Sequence, residues 1–118
     1  MTERASDRPA FEEAKRGSAE LLILALVEHE SLHGYEIGRR IEQRSQGTLT
    51  FTLAALYATL YRMEARRWIS GRWIERAGQR RRRHYRITEA GRRVLATQRE
   101  DWARLIEVLG EVAGVRYA

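Results

Sequence analysis

The stretch that decides the fold spans residues 50–63 and reads TFTLAALYATLYRM. Its apolar residues recur at steps of three, four and three, which places them on one face of an α-helix: Leu53, Leu56, Leu60 and Met63. Polar and aromatic side chains occupy the other faces, at Tyr57, Thr59, Tyr61, Arg62 and Arg66. Thr50 or Thr52 is suited to cap the N-terminus. We therefore predict a helix packed on one side and open to a ligand on the other, with Phe51 and Leu53 packing its start against the core.

Two strand-like runs follow, at residues 68–75 and 82–87. Ile69 and Trp73 alternate along the first, and Tyr85 and Ile87 along the second, which predicts a two-stranded ribbon half-buried against the helices. The turn between them, residues 76–81, reads RAGQRR.

Positive charge is concentrated in this part of the chain. Residues 62–93 hold 12 Arg and 3 Glu, a net charge of +9, whereas the remainder holds 10 basic and 13 acidic residues, a net charge of −3, giving +6 in total. A helix followed by a basic hairpin is suited to DNA, because the helix fits the major groove and the hairpin reaches the neighbouring backbone. The alternative is a charged surface that is simply solvated.

Composition favours one mainly helical domain: 118 residues, 43% hydrophobic, with a single proline. The absence of cysteine excludes disulfides, thiolate zinc sites and cysteine nucleophiles, and fits a cytoplasmic location. We see no signal peptide, and the longest apolar run, Leu21–Val27, is too short to span a membrane. We therefore expect no membrane partner and no cofactor.

The chain before residue 50 predicts two more helices. Residues 1–16 are expected to form a flexible arm in which Phe11–Arg16 begin a helical segment, and Ser18 is a candidate N-cap for a core helix over Leu21–Val27. Tyr35–Arg44 predicts a second helix, and residues 45–48 predict a turn. Helix, turn and helix in this order form a helix-turn-helix, whose second helix reads DNA.

The segment His29-Glu30-Ser31-Leu32-His33 matches the H-E-x-x-H pattern of zinc hydrolases. That chemistry needs both histidines on one helix face and a third ligand. Gly34 follows directly where such a helix should continue, although Glu42 remains available as a ligand on paper. We favour a helix end and loop in which His33 caps or packs near the next helix, and predict neither a metal site nor catalytic residues.

A long last helix is predicted from Glu89 to Val112, with Thr88 as its N-cap. Six of its residues recur with a heptad pattern: Leu95, Gln98, Trp102, Leu105, Leu109 and Val112. We interpret this stripe as a homodimer interface, because two-fold symmetry also suits a palindromic DNA site. The alternative is that the stripe packs on its own domain.

Four fragments in order resemble the PadR family of bacterial winged-helix transcriptional regulators, in particular its short members with a single C-terminal helix. They are residues 17–26, GSAELLILAL; residues 32–37, LHGYEI; residues 56–64, around Leu56-Tyr57 and Arg62-Met63-Glu64; and residues 82–91, RRHYRITEAG. The resemblance implies a mainly α fold with a small β-hairpin: a winged helix-turn-helix over residues 17–88 and a dimerisation helix over residues 89–118. The chain departs from the family pattern at Ala54, Ala55 and Ala58, where Gly, Thr and Pro are common.

The resemblance also implies a homodimeric, sequence-specific regulator, a repressor that leaves double-stranded DNA when a small aromatic or cationic effector binds. We expect the DNA, an inverted repeat, to be contacted by Tyr35, Thr52, Tyr57, Thr59, Tyr61, Arg62, Arg80, Arg81, Arg82 and Arg83. Trp102 is the candidate effector contact, through stacking or a cation–π interaction, unless it only fills the dimer core. The alternative function is a winged-helix module whose basic face binds an acidic protein.

Overall fold

The computed structural model describes residues 8–116, and the described chain forms four helices and one three-stranded antiparallel sheet. The elements run in the order α1 (Pro9–Leu26), β1 (Leu32–His33), α2 (Gly34–Arg44), α3 (Leu53–Ala65), β2 (Ile69–Ile74), β3 (Arg82–Ile87) and α4 (Glu89–Ala113). This is the predicted mainly α class with a small β-hairpin. Within residues 8–116, none of the helices has the length and apolar character needed to cross a bilayer.

The core lies where α1, α2 and α3 meet the base of the sheet. Leu56, Leu60 and Met63 are fully buried there, as their spacing predicts. Leu53 is 54% exposed, so the prediction that it packs the start of α3 against the core is wrong. Phe51 alone makes that contact, because Leu53 opens the first turn of α3, beyond the edge of the core.

Helix α1 continues through the Gly17-Ser18 pair. The prediction that Ser18 begins the helix is wrong: its hydroxyl donates a hydrogen bond to the Lys15 carbonyl, 3.0 Å away, inside the helix. A single glycine in a helix costs only about 1 kcal/mol relative to alanine, and neighbouring residues offset it. Pro9 opens α1, a position that tolerates its missing N–H. Residues 9–16 of the expected arm are therefore helical, and its first seven residues lie outside the described chain.

The sheet has a third strand in addition to the two predicted. Strand order is β1-β3-β2, with Leu32 opposite Tyr85 and His33 opposite His84. Two residues are too few for a strand pattern to be visible in the sequence. The sheet has an inner face, which packs against α3, and an outer face, which carries His33, His84 and Arg82.

Trp73 does not pack on the helices, contrary to the alternation argument, and is 55% exposed. Both Ile69 and Trp73 belong to the inner face, but Ile69 pairs with Ile87 over the core and Trp73 pairs with Arg83 further out. The hairpin is therefore longer than the core beneath it. Its outer part projects as the wing, which we define as residues 72–84.

Helix α4 begins as predicted, with the Thr88 hydroxyl accepting a hydrogen bond of 3.0 Å from the Gly91 N–H. It is tied to the end of α1 by Arg99, which donates to both carboxylate oxygens of Glu28 at 3.0 and 3.3 Å. The hydrogen bond from Arg99 lowers the pKa of Glu28, against the effect of burial. Gly114, at φ 71°, ends the helix.

Candidate nucleic-acid interface

The N-terminus of α2 is built by His33. Its Nδ1 accepts a hydrogen bond of 3.2 Å from the Glu36 N–H, so His33 is the N-cap and the predicted capping role is confirmed. His29 lies in the preceding turn, and the H-E-x-x-H segment is therefore a turn and a short strand rather than one helix face. Within residues 8–116, no three His, Asp or Glu side chains are grouped so that they could hold a metal ion.

Helix α3 begins at Thr52, whose hydroxyl accepts a hydrogen bond of 3.1 Å from the Ala55 N–H. Thr52 is exposed, and its hydroxyl proton remains available to donate outward. Tyr57 and Tyr61 are 44% and 77% exposed, and Arg62 is exposed beside them. All four residues are exposed, and Tyr57, Tyr61 and Arg62 define the open side of α3.

Thr59 does not belong to this surface, and its predicted place on an open face of α3 is wrong. It is only 8% exposed, and its hydroxyl donates to the Ala55 carbonyl at 2.9 Å. It also accepts a hydrogen bond of 3.2 Å from Arg62. Thr59 therefore positions the Arg62 side chain rather than reaching a ligand itself.

Helices α2 and α3 meet closely at Gly34. A Cβ atom on Gly34 would lie 2.6 Å from Cε1 of Tyr57, so the tyrosine ring packs directly on the α2 backbone. Tyr35, the next residue, is exposed at the same end of α2. Gly34 thus leaves the space that the Tyr57 ring occupies. In the sequence, this role was indicated only by the resemblance of the segment LHGYEI to the family.

The tip of the wing presents arginines to solvent. Residues 76–79 form a turn in which Gly78 adopts φ 74°, a conformation that glycine adopts without strain. Arg80, Arg81 and Arg82 are exposed, and within residues 8–116 none of the three has a carboxylate partner. The Arg81 guanidinium lies 4.8 Å from the centroid of the exposed Trp73 ring, which holds it in a cation–π contact.

Arg83 has a different environment. It is half-buried on the inner face of the sheet, where its Nη2 forms an ion pair with Glu64 and its Nε donates to the same carboxylate at 3.3 Å. Glu64 also accepts a hydrogen bond of 3.2 Å from the Gly71 N–H. The hydrogen bond to Glu64 raises the pKa of Arg83, and burial raises the pKa of the neighbouring Tyr85.

Glu64 therefore joins α3 to both long strands. Sequence reasoning assigned Arg83 to DNA together with Arg80–Arg82, and it missed Glu64. In the structure Arg83 is bound to Glu64, a contact that links the wing to α3. Glu64 is the single acid in residues 51–74, but nothing local in the sequence connects it with Arg83.

The six residues of the heptad stripe do not share one environment. Leu95 is 1% exposed and packs in the domain's own core, so it is not available to a second subunit. The Gln98 Oε1 is buried and has no hydrogen-bond partner in the described chain. Trp102 is half-buried against α1, where its Cζ2 would lie 3.9 Å from a Cβ on Gly17. Leu105, Leu109 and Val112 are exposed, as is Ile106.

Comparison with known proteins shows which family this chain belongs to. The model of the transcriptional regulator PadR-like family matches residues 23–97. A protein of unassigned function from Lysinibacillus sphaericus is 30% identical over 94 residues, which cover 80% of this chain and 86% of that protein.

Solved structures share the architecture. A transcriptional regulator from Clostridium thermocellum superposes with a TM-score of 0.78 at 26% identity, covering 85% of this chain and 94% of that one. A PadR family transcription regulator from Clostridium difficile gives 0.72 at 25% identity, covering 80% and 97%. A PadR family regulator from Eggerthella lenta gives 0.80 at 22% identity, covering 92% and 93%, a likeness that shows the fold alone.

These matches agree with a winged helix-turn-helix, in which α2, the turn at residues 45–48 and α3 are followed by the wing. The zinc-hydrolase hypothesis finds no support in these matches, because the matching family and the named structures are transcriptional regulators. The chain belongs to the PadR-like family of transcriptional regulators, whose members act by binding DNA.

Proposed function

We propose that this chain is a homodimeric repressor that recognises an inverted repeat in double-stranded DNA and releases it when a small molecule binds. The observation that carries the proposal is that Tyr57 of α3 and Arg80 and Arg81 of the wing line one cavity. The open side of α3 presents Tyr57, Tyr61 and Arg62, and the wing tip presents arginines that have no carboxylate partner in the described chain.

The two surfaces have different tasks in this proposal. Tyr57 and Tyr61 lie at the major-groove edge of α3, where aromatic and hydroxyl groups can contact base edges and thymine methyl groups. Thr52, Tyr35 and Arg62 lie around them and donate to phosphates. Arg80, Arg81 and Arg82 bind the backbone beside the groove, or enter a narrow minor groove.

Dimerisation is assigned to the second half of α4. Leu105, Leu109 and Val112 recur on one face, and Ile106 widens it, forming an apolar surface that the rest of the described chain leaves uncovered. A second α4 would cover it and place two copies of α3 in successive turns of a palindromic site. Leu95 is excluded from the interface by its burial.

An effector site is assigned to Trp102, at the boundary between the buried and the exposed halves of α4. One edge of its ring packs on α1 near Gly17, so the ring is held in a fixed orientation. The remaining part can stack on a flat aromatic molecule or form a cation–π contact. A ligand bound there alters the packing of α4 on α1, and hence the spacing of the two DNA-binding domains.

Selection of binding sites from random duplex DNA tests the function. We expect an enriched inverted repeat, bound far more tightly than a scrambled duplex. Replacing Leu105 and Leu109 with Asp serves as the matched variant, since both side chains are exposed and the domain core is unaffected. That variant should be monomeric in sedimentation and should select half-sites.

Equal affinity for the repeat and the scrambled duplex would contradict sequence-specific recognition and favour an acidic protein as the partner of the basic face. Selection of the full repeat by a monomeric variant would contradict the dimeric part of the proposal.

A further inference from the structure

A second basic surface lies on the outer face of the sheet, turned away from α3. It forms a cavity of about 670 Å³ between the wing and the N-terminus of α2. Its lining includes His33 and Glu36, Arg76 and Arg80 near the wing turn, and Arg82 and His84 of β3. Neither the family assignment nor the proposed DNA contacts explain why two histidines lie here.

The two histidines are fixed by the sheet register. His33 lies opposite His84, and their ring centroids are 5.3 Å apart in an edge-on arrangement. Nη1 of Arg82 lies 3.3 Å from Nδ1 and 3.1 Å from Nε2 of His33. Burial lowers the pKa of both histidines, and the neighbouring arginines lower it further, so the folded chain favours the neutral form of both rings.

The hydrogen bond at Nδ1 of His33 determines which groups around the ring can donate to a ligand. Its Nδ1 lone pair accepts from the Glu36 N–H, so in the neutral ring Nε2 carries the proton. Nη1 of Arg82 is nearly equidistant from the two ring nitrogens, so it lies over the face of the imidazole and does not point along either lone pair. An oxygen atom of an anion would accept from Nε2 of His33 and from Arg82 at once.

The net charge of the cavity lining indicates the charge of the anion that it can bind. Glu36 forms ion pairs on its other side, with Arg40 at 3.3 Å and Arg39 at 3.9 Å. Arg76, Arg80 and Arg82 have no carboxylate partner within residues 8–116, so these three and Glu36 give the lining a net charge of +2. A phosphate monoester, which is mostly a dianion at pH 7.5, matches that charge. Leu32 and Ile74 complete the wall and offer apolar contact to an organic group.

We propose that this cavity binds a small phosphate monoester, and that its occupant competes with DNA for Arg80 and Arg82. The phosphate oxygens accept from Nε2 of His33 and from Arg76, Arg80 and Arg82. Binding of the monoester is independent of the proposed function, whereas the competition rests on it. The chain would thereby have a ligand site at the wing that affects DNA binding and is separate from any effector site at Trp102.

Calorimetric titration of the full chain with methyl phosphate at pH 7.5, without DNA, tests the site. We expect saturable binding that Arg76→Ala and His33→Asn each weaken at least about tenfold, while Arg93→Ala leaves it within about twofold. Asn is a good N-cap, so His33→Asn keeps the acceptor for the Glu36 N–H and loses only the imidazole. The pKa values of His33 and His84, obtained from pH titration of their imidazole NMR signals, should be higher when methyl phosphate is bound.

Dimethyl phosphate, a monoanionic diester like the DNA backbone, is the discriminating ligand. It should bind much more weakly than methyl phosphate. Equal binding would overturn the proposal and assign the cavity to the DNA backbone. No saturable binding, or an equal loss in Arg93→Ala, would also overturn it.

The competition is measured with a DNA duplex that the wild-type chain binds. Methyl phosphate should weaken DNA binding by the wild type more than by Arg76→Ala, at equal ionic strength. An equal effect on both proteins would overturn the competition while leaving the site itself standing.

Discussion

The base and the tip of the wing use the same amino acid in opposite ways. At the base, Arg83 is half-buried and bound to Glu64, whose carboxylate also holds the Gly71 N–H. At the tip, Arg80 and Arg81 are exposed and have no carboxylate partner within residues 8–116. An arginine whose charge is already neutralised sets geometry, whereas an arginine without a partner is available to a phosphate. Counting arginines along the chain does not separate the two.

Glycine substitutions should destabilise the packed region beneath the wing, where α4 meets the entry to β2, and should have little effect at the tip. A Cβ on Gly91, at the start of α4, would overlap the Trp68 carbonyl oxygen and lie 2.9 Å from the carbonyl carbon. Because these are backbone atoms at the entry to β2, Gly91→Ala should lower the free energy of unfolding by about 3 kcal/mol or more. Denaturant unfolding monitored by tryptophan fluorescence measures this.

Gly78→Ala is the matched control at the tip. Its Cβ would meet nothing within 4 Å, and only the positive φ of 74° opposes it, at a cost of about 1 kcal/mol. Equal losses for the two variants would contradict the distinction between a packed base and an open tip.

Arg83→Ala tests whether the arginine at the base contributes to stability rather than to DNA binding. Glu64 and Arg83 have side chains 28% and 29% exposed, so removing the arginine should cost about 1 kcal/mol of stability. The dependence of DNA affinity on salt should keep its wild-type slope, because Arg83 is not counted among the phosphate contacts. A slope reduced as much as by loss of a tip arginine would show that Arg83 leaves Glu64 and binds DNA.

The predictable part of the fold is the part with long periodic patterns. The apolar spacing of Leu56, Leu60 and Met63, the cap at Thr88 and the strand at residues 82–87 all follow from local rules and agree with the structure. Strand β1 was missed because two residues carry no periodicity. The misplacement of Leu53 and Trp73 has one cause: a pattern gives the face of an element but not how far the core extends beneath it.

The surroundings of individual residues in the candidate site were less predictable than the helices and strands that carry them. Thr59 was assigned to DNA from its place on a helical wheel, but a threonine hydroxyl can instead bond to the carbonyl four residues earlier, and here it does. Arg83 was assigned from its charge, and its partner Glu64 is 19 positions away, a distance that no local rule spans. The heptad stripe likewise gave no sign that Leu95 and Leu105 differ in burial.

Protonation should weaken the junction between α2 and the sheet. The pKa of His33 and that of His84 are lowered in the folded chain, chiefly by burial, so the unfolded chain binds more protons below the ordinary histidine pKa of about 6.5. The free energy of unfolding should therefore fall as the pH decreases from about 7 through 6.5 towards the lowered values. His33→Asn should remove part of this dependence; an unchanged pH profile in that variant would contradict the role of His33.

The most direct measurement is the slope of log affinity against log salt for DNA binding by the wild type, Arg80→Ala/Arg81→Ala and Arg16→Ala/Arg93→Ala. All four arginines are exposed, but the second pair lies on α1 and α4. If the tip binds phosphates, the first double variant should lose about 0.9 units of slope for each lost contact, and the second should keep the wild-type slope. Identical slopes for the two double variants would contradict the assignment of the wing tip to the DNA backbone.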